Sequence, residues 1–164
     1  MKILDADETI KELGWTCLND LSTFGALSSD VIADLLQNGV IKHYQKGEYV
    51  IRVDQTADDF QIILRGRVAY YRCFDGCDVL TRYFDQGEQM GFDQMIGLLK
   101  QNGTDVAQED SLIVDISGEQ FFKLRVEFPA DFGLLMINLA REMAREIEIL
   151  ENVIGQGTGW REEE

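Results

Sequence analysis

Between residues 28 and 39 the chain reads SSDVIADLLQNG, and its apolar side chains repeat with the period of a helix. Val31, Ile32, Leu35 and Leu36 stack into one stripe when residues advance 100° at a time. Ser28 or Ser29 offers a capping oxygen at the start, and Gly39 offers a stop. The first forty residues as a whole read as helical, which sets an N-terminal helical segment over 1–39.

From residue 40 the period shortens. Residues 40–91 are rich in β-branched and aromatic side chains and are cut by Gly and Asp clusters. The pattern predicts strands near 40–45, 48–52, 60–65, 67–74 and 77–84. Asp75–Gly76 reads as a tight hairpin turn, because such a turn needs positive φ and glycine reaches it without strain. A one-turn helix is expected at 93–99, and further strands at 104–108 and 111–116. Many short strands at regular spacing specify a jelly roll or double-stranded β-helix over 40–117.

The last third returns to the helical period. Ser117 can cap a short helix in SGEQFFKLRVEF, Pro129 is expected to break the chain, and a long helix is expected over 131–154. Along it Met136, Ala140, Met143, Ile147, Leu150 and Ile154 are spaced 4, 3, 4, 3, 4, the seam of a helix pair. Leu135, Leu139, Ile149 and Val153 form a second stripe. If one stripe packs on the roll, the other is left for a partner helix, and a homodimer is expected; the alternative is one broad stripe buried on its own roll. Gly155 is the expected stop, with 156–164 a mobile acidic tail and no second domain. The fold class is therefore α+β, a β-roll between N-terminal helices (1–39) and C-terminal helices (118–155) in one domain.

Composition narrows the function. A chain of 164 residues buries roughly 70% of its unfolded surface and holds a core without staples. Thirty acids stand against fifteen bases, a net charge of −15. Duplex DNA is bound largely by Lys and Arg neutralising phosphates, so no nucleic acid partner is expected; the charge serves solubility. Three cysteines, an odd number, and no secretory leader point to the cytoplasm. The apolar run FGLLMINLA is too short to span a bilayer, so no membrane is expected.

Catalytic and metal chemistry find little support. With Asp75 and Gly76 in the turn, Cys73 faces Asp78 and Phe74 faces Cys77, so the two thiols point to opposite faces. Neither a disulfide nor a zinc site is expected there. His43 is the single histidine and reads as a half-exposed strand residue. No Ser–His–Asp pattern or phosphate loop occurs, Asp58–Asp59 and Glu162–Glu164 read as solvated acids, and an enzyme is not expected.

Two stretches carry a family resemblance. KGEYVIRVDQTADDFQIILRGRVAYY and DQGEQMGFDQMIGLL resemble the cyclic nucleotide-binding domain, most nearly the sensor domains of Crp/Fnr transcription regulators. The resemblance covers about residues 20–155. Gly47 and Gly66 stand at the family's turn glycines, and Asp54 stands where glycine is usual. Gly91-Phe92-Asp93 is similar to the Fnr branch, which does not use a cyclic nucleotide.

The resemblance implies a phosphate-binding cassette at residues 86–99. In the family, backbone N–H groups hold an anion there, a glutamate after the glycine accepts the ribose hydroxyl, and an arginine about ten residues on grips the phosphate. Here Phe92 stands at the glutamate and Gln101 at the arginine, with Lys100 and Arg82 the nearest cations. The base-contacting positions of the long helix fall on Leu150 and Glu151. Gly91, Phe92, Asp93, Gln94, Lys100, Gln101, Leu150 and Glu151 thus make a degenerate cassette, expected to keep the shape without the cyclic-phosphate chemistry. No cofactor is expected: an Fnr-type iron–sulfur centre needs an N-terminal cysteine cluster, and only Cys17 is there. Haem, which some relatives hold in the roll, would need Cys73, Cys77 or His43.

The family's regulators carry a helix-turn-helix domain after the long helix, and this chain is expected to lack one. It is then a sensor fragment or acts through a protein partner. By resemblance, a ligand near Gly91–Gln94 and Gln101 would bias the helix around Met143–Leu150. Three readings stay open: a sensor for something other than a cyclic nucleotide, a cyclic-nucleotide binder using Lys100 or Arg82, and a ligand-free interaction domain.

Overall fold

The computed structural model describes residues 1–53 and 55–158, with side chains described as far as Gln156. Asp54 and the acidic tail from residue 159 therefore lie outside the described residues.

Four short N-terminal elements precede the roll: strand β1 (Lys2–Ile3), helices α1 (Ala6–Leu13) and α2 (Trp15–Asp20), and a 3-10 turn at Ser22–Phe24. Helix α3 (Ser29–Asn38) follows, and the Ser28 hydroxyl accepts the Val31 N–H at its start, as the capping pattern predicts. The strands are β2 (Val40–Tyr44), β3 (Tyr49–Ile51), β4 (Asp59–Arg65), β5 (Val68–Phe74), β6 (Cys77–Phe84), β7 (Gln89–Met90), β8 (Gly103–Ala107) and β9 (Ser111–Ser117). Helix α4 (Phe92–Ile96) leaves β7, and α5 (Gly118–Glu127) and α6 (Pro129–Thr158) close the chain.

All strand pairs are antiparallel and form two sheets, ordered β1-β2-β9-β4-β7 and β3-β8-β5-β6. Alternation along β4 sends Phe60, Ile62 and Leu64 toward the helices and Asp59, Gln61 and Ile63 into the roll. The helix-side core joins those residues to Ile32 and Leu36 of α3, Phe121 and Leu124 of α5, and Leu135 and Leu139 of α6. Phe60, Phe92 and Phe121 meet edge-to-face at its centre, with centroids 5.4–5.7 Å apart. Each such buried ring stabilises the fold by about 1.5–3 kcal/mol. A smaller apolar cluster inside the roll holds Tyr44, Ile63, Val68, Phe84 and Ile113.

Several boundaries differ from the sequence reading. Residues 2–3 are not helical but extend β2 outward, pairing Lys2 with His43 and Ile3 with Lys42. Strand β7 had no signal of its own, being two residues long. Helix α4 is shorter than 93–99, and the chain leaves it through Leu98 at φ 53°. Pro129 begins α6 instead of standing before it, at a first-turn position where its missing N–H costs nothing. Gly155 does not end α6, which continues to Thr158, so residues 156–158 are helix and not tail. The Asp75–Gly76 hairpin has the expected register, Cys73 opposite Asp78 and Phe74 opposite Cys77, with φ of 50° and 77° in the turn.

Candidate functional site

The cassette is built on a glycine that nothing else replaces. Gly91 joins β7 to α4 at φ 79°, ψ −4°, a left-handed conformation. A Cβ there would lie 3.2 Å from Gln61 Oε1 and 3.3 Å from Gln101 Nε2. Two residues earlier the Gln89 side chain curls forward, and its Oε1 accepts the Phe92 N–H at 3.1 Å. The first free N–H of the short helix is thereby satisfied from within.

The residues placed in the cassette by resemblance go to different places. Phe92 turns into the helix-side core, where its ring is 2% exposed, and offers the crevice no polar atom. Gln94 donates to Asp93 Oδ2 at 2.7 Å. Asp93 is half-buried, and burial and Glu146 both push its carboxyl above the ordinary range. Lys100 is exposed. Gln101 is buried, and its neutral amide reaches over Gly91. Leu150 and Glu151 lie on α6 with exposed side chains.

The face of α6 that meets the crevice is acidic. Glu142 is buried, and its carboxylate accepts from Ser22 Oγ (2.9 Å), Thr23 Oγ1 (2.9 Å) and the Gln89 N–H (3.1 Å). Asn138, one turn earlier, donates to the carbonyls of Thr23 and Gly25 at 3.2 and 2.7 Å. Burial pushes the Glu142 carboxyl up, while these donors pull it back. Glu146, one turn later, pairs with Arg82 at 2.8 Å. Sequence reading missed both acids, because nothing near them in the chain marks which side of the helix faces the cassette.

Across the inner face of the four-stranded sheet the registers set Ile51, Asp105, Tyr70 and Arg82 side by side. Arg82 lies over the Phe84 ring, 4.0 Å from its centroid, and pairs with Glu146 and, at 3.5 Å, with Glu88. The Tyr70 hydroxyl donates to Asn102 Oδ1 at 2.6 Å. Gly103 leaves room for that ring, since a Cβ there would fall 2.1 Å from it. Asp105 is 4% exposed with one carboxylate oxygen unpartnered, and burial pushes its carboxyl up to about 7, against the pull of Arg82.

Among the described residues the crevice holds one guanidinium, that of Arg82, already shared by Glu146 and Glu88, near Asp93, Asp105 and Glu142. Its field welcomes a cation or a neutral group over an anion. No cluster of three or more His, Cys, Asp and Glu suited to a metal occurs among the described residues. His43 is half-buried on β2, Cys17 is half-buried, and Cys73 and Cys77 are exposed. Among the described residues no helix is long and apolar enough to cross a membrane.

Comparison with known proteins agrees with this architecture. The family model for the cyclic nucleotide-binding domain matches residues 41–127, just over half of the 164-residue chain. A cyclic nucleotide-binding domain from Methylobacillus flagellatus superposes with a TM-score of 0.78 at 18% identity, covering 94% of this chain and 88% of that one. The Thermus thermophilus catabolite activator protein gives 0.69 at 18% identity, covering 82% and 62%. DNR from Pseudomonas aeruginosa gives 0.64 at 20% identity, covering 84% and 62%. The chain thus matches about three fifths of the length of the last two. No curated protein has a sequence that matches it.

Proposed function

The chain belongs to the cyclic nucleotide-binding domain family, and from that premise we propose that this regulatory domain of Crp/Fnr type senses an effector other than a cyclic nucleotide. One observation carries the proposal: Arg82, the cation inside the crevice, is held by Glu146 and Glu88, with Asp93 and Asp105 beside it. A cyclic phosphate seated there would displace an ion pair and face further carboxylates. Phe92 and Gln101 supply neither the ribose acceptor nor the bidentate fork.

The output runs through α6. Glu142 ties that helix to the strand leading into the cassette, so a shift at Gly91 is felt at the helix. The apolar side chains of Ile137, Ile147 and Leu150 are exposed along it and fit a second copy of the helix. The domain is read as a cytoplasmic, non-enzymatic homodimer that signals by population shift.

Thermal melting of the protein with cAMP and with cGMP tests the reading, because a ligand of the native state raises the melting temperature. No shift is expected. A saturable rise of several degrees with either nucleotide would overturn the proposal and favour a binder that frees Arg82 from Glu146. An absorption spectrum of the purified protein tests for haem and iron–sulfur in the same sample.

A further inference from the structure

A cavity lies on the roll side of the five-stranded sheet, and Gln101 of the cassette forms part of its wall. Lys42 of β2, Asp115 of β9, and Asp59 and Gln61 of β4 all point inward, and with Gln55 and Gln101 they line this cavity of about 330 Å3. Ligand pockets run from about 300 to 1,000 Å3, and a water occupies about 30 Å3. The space therefore suits a small metabolite, not a single solvent molecule.

Its walls state what they lack. Lys42 is paired with Asp115, so its charge is matched. Asp59 is in no ion pair among the described residues; its Oδ1 accepts only the Gln61 amide N–H, at 3.0 Å. Gln61 is 5% exposed, and its Oε1 is buried without any partner. An amide oxygen only accepts, so an orphan of this kind calls for a donor. The sum of the wall charges is one negative.

We propose that this cavity binds a small organic cation rich in N–H donors, an alkylammonium or guanidinium compound, with Gln61 Oε1 and the Asp59 carboxylate as its acceptors. The inference rests on the non-nucleotide reading and gives the effector a chemical class. It also connects the cavity to the output. Gln61 Oε1 and Gln101 Nε2 both crowd Gly91, Gln61 pairs across the sheet with Met90, and Gln89 is held by Glu142 of α6. An occupant that recruits Gln61 therefore pulls at the hinge of the cassette.

The test uses the whole protein with agmatine and 1,4-diaminobutane as probes, at millimolar concentration and about 0.15 M ionic strength to screen the acidic surface. Melting is followed by fluorescence and binding by calorimetry. A saturable rise in melting temperature is expected with agmatine, and none with inorganic phosphate. Gln61→Met keeps the shape and removes the acceptor; Asp59→Asn removes the charge. Each should weaken agmatine binding about tenfold or more without lowering the melting temperature of the free protein. If Gln61→Met does not fold, Asp59→Asn, at a half-exposed strand end, decides alone. No saturable rise with either amine overturns the inference, as does a rise that both variants retain. A response to cAMP would instead defeat the non-nucleotide reading, so the two failures are told apart.

Discussion

The five-stranded sheet turns two unlike faces to its surroundings. Toward the helices it presents Ile41, Phe60, Ile62, Leu64, Val114 and Ile116, all nearly inaccessible to solvent and all apolar. Toward the roll the same strands present Lys42, Asp59, Gln61 and Asp115 beside Ile63 and Ile113. Strand pleating makes this possible, because neighbouring residues in one chain serve opposite layers. One face stabilises the domain, and the other gives up stability for polar groups that a ligand could meet. Regulatory folds need both, since a site that is fully satisfied by itself has nothing left to sense.

The largest effect should come from the apolar side. Phe121 is wholly buried and touches Phe60, Phe92 and Phe132. Phe121→Ala removes a ring that three elements share, and the loss is expected to be about 3–5 kcal/mol in urea unfolding. A loss below about 1 kcal/mol would mean that the helices do not pack on the sheet as described.

The interior side should respond with the opposite sign. Asp105 faces Tyr70, Arg82 and Asp93, and its carboxyl is pushed from 3.8 up to about 7 by burial. The folded protein then keeps a proton that the unfolded chain releases between about pH 4 and 7. Stability falls as pH rises through that window; the penalty is absent below about pH 4 and complete above about pH 7. Asp93, Asp115 and Glu142 are raised by burial in the same direction and steepen the slope. Asp105→Asn should therefore stabilise the protein at pH 8, by up to about 4 kcal/mol, and change little at pH 4. Urea midpoints at the two pH values check this, and an Asp105→Asn variant weaker than the parent at pH 8 would place the carboxylate in a solvated setting.

How much of this was readable beforehand follows the range of the physics involved. Ser28, Ser117 and Asp75–Gly76 act within four residues of themselves, and each does what its local chemistry predicts. Local signals failed where a distant partner decides. Lys2 and Ile3 are strand only because β2 has an edge to cover. Gly155 would end an isolated helix, and α6 runs through it. Within the site, Phe92 was recognisable as unable to accept a hydroxyl, but its burial against Phe60 and Phe121 required the fold. On α6 the acids that reach the cassette strand and Arg82 are Glu142 and Glu146. No short-range pattern separates those two from the other glutamates of α6.

The two halves of α6 repeat the contrast between the faces of the sheet, and they give the smallest expected effect. Leu135, Asn138, Leu139 and Glu142 are buried on the domain, and Met136 and Met143 rest partly buried against its core. Beyond Glu146 the helix carries Ile147 at 54% exposure and Leu150 at 45%. A change at Met143 would therefore disturb the domain and a partner helix together, whereas Ile147 reports on the partner alone. Ile147→Lys should move the unfolding free energy of the isolated domain by less than about 0.5 kcal/mol. The same change puts a charge into any seam built from that half of the helix, where burying it unpaired is costly. Sedimentation is expected to show a dimer for the parent and a monomer for the variant at matched concentration. If both sediment as dimers, the second copy is held elsewhere; if both are monomers, the exposed half of α6 serves a different partner.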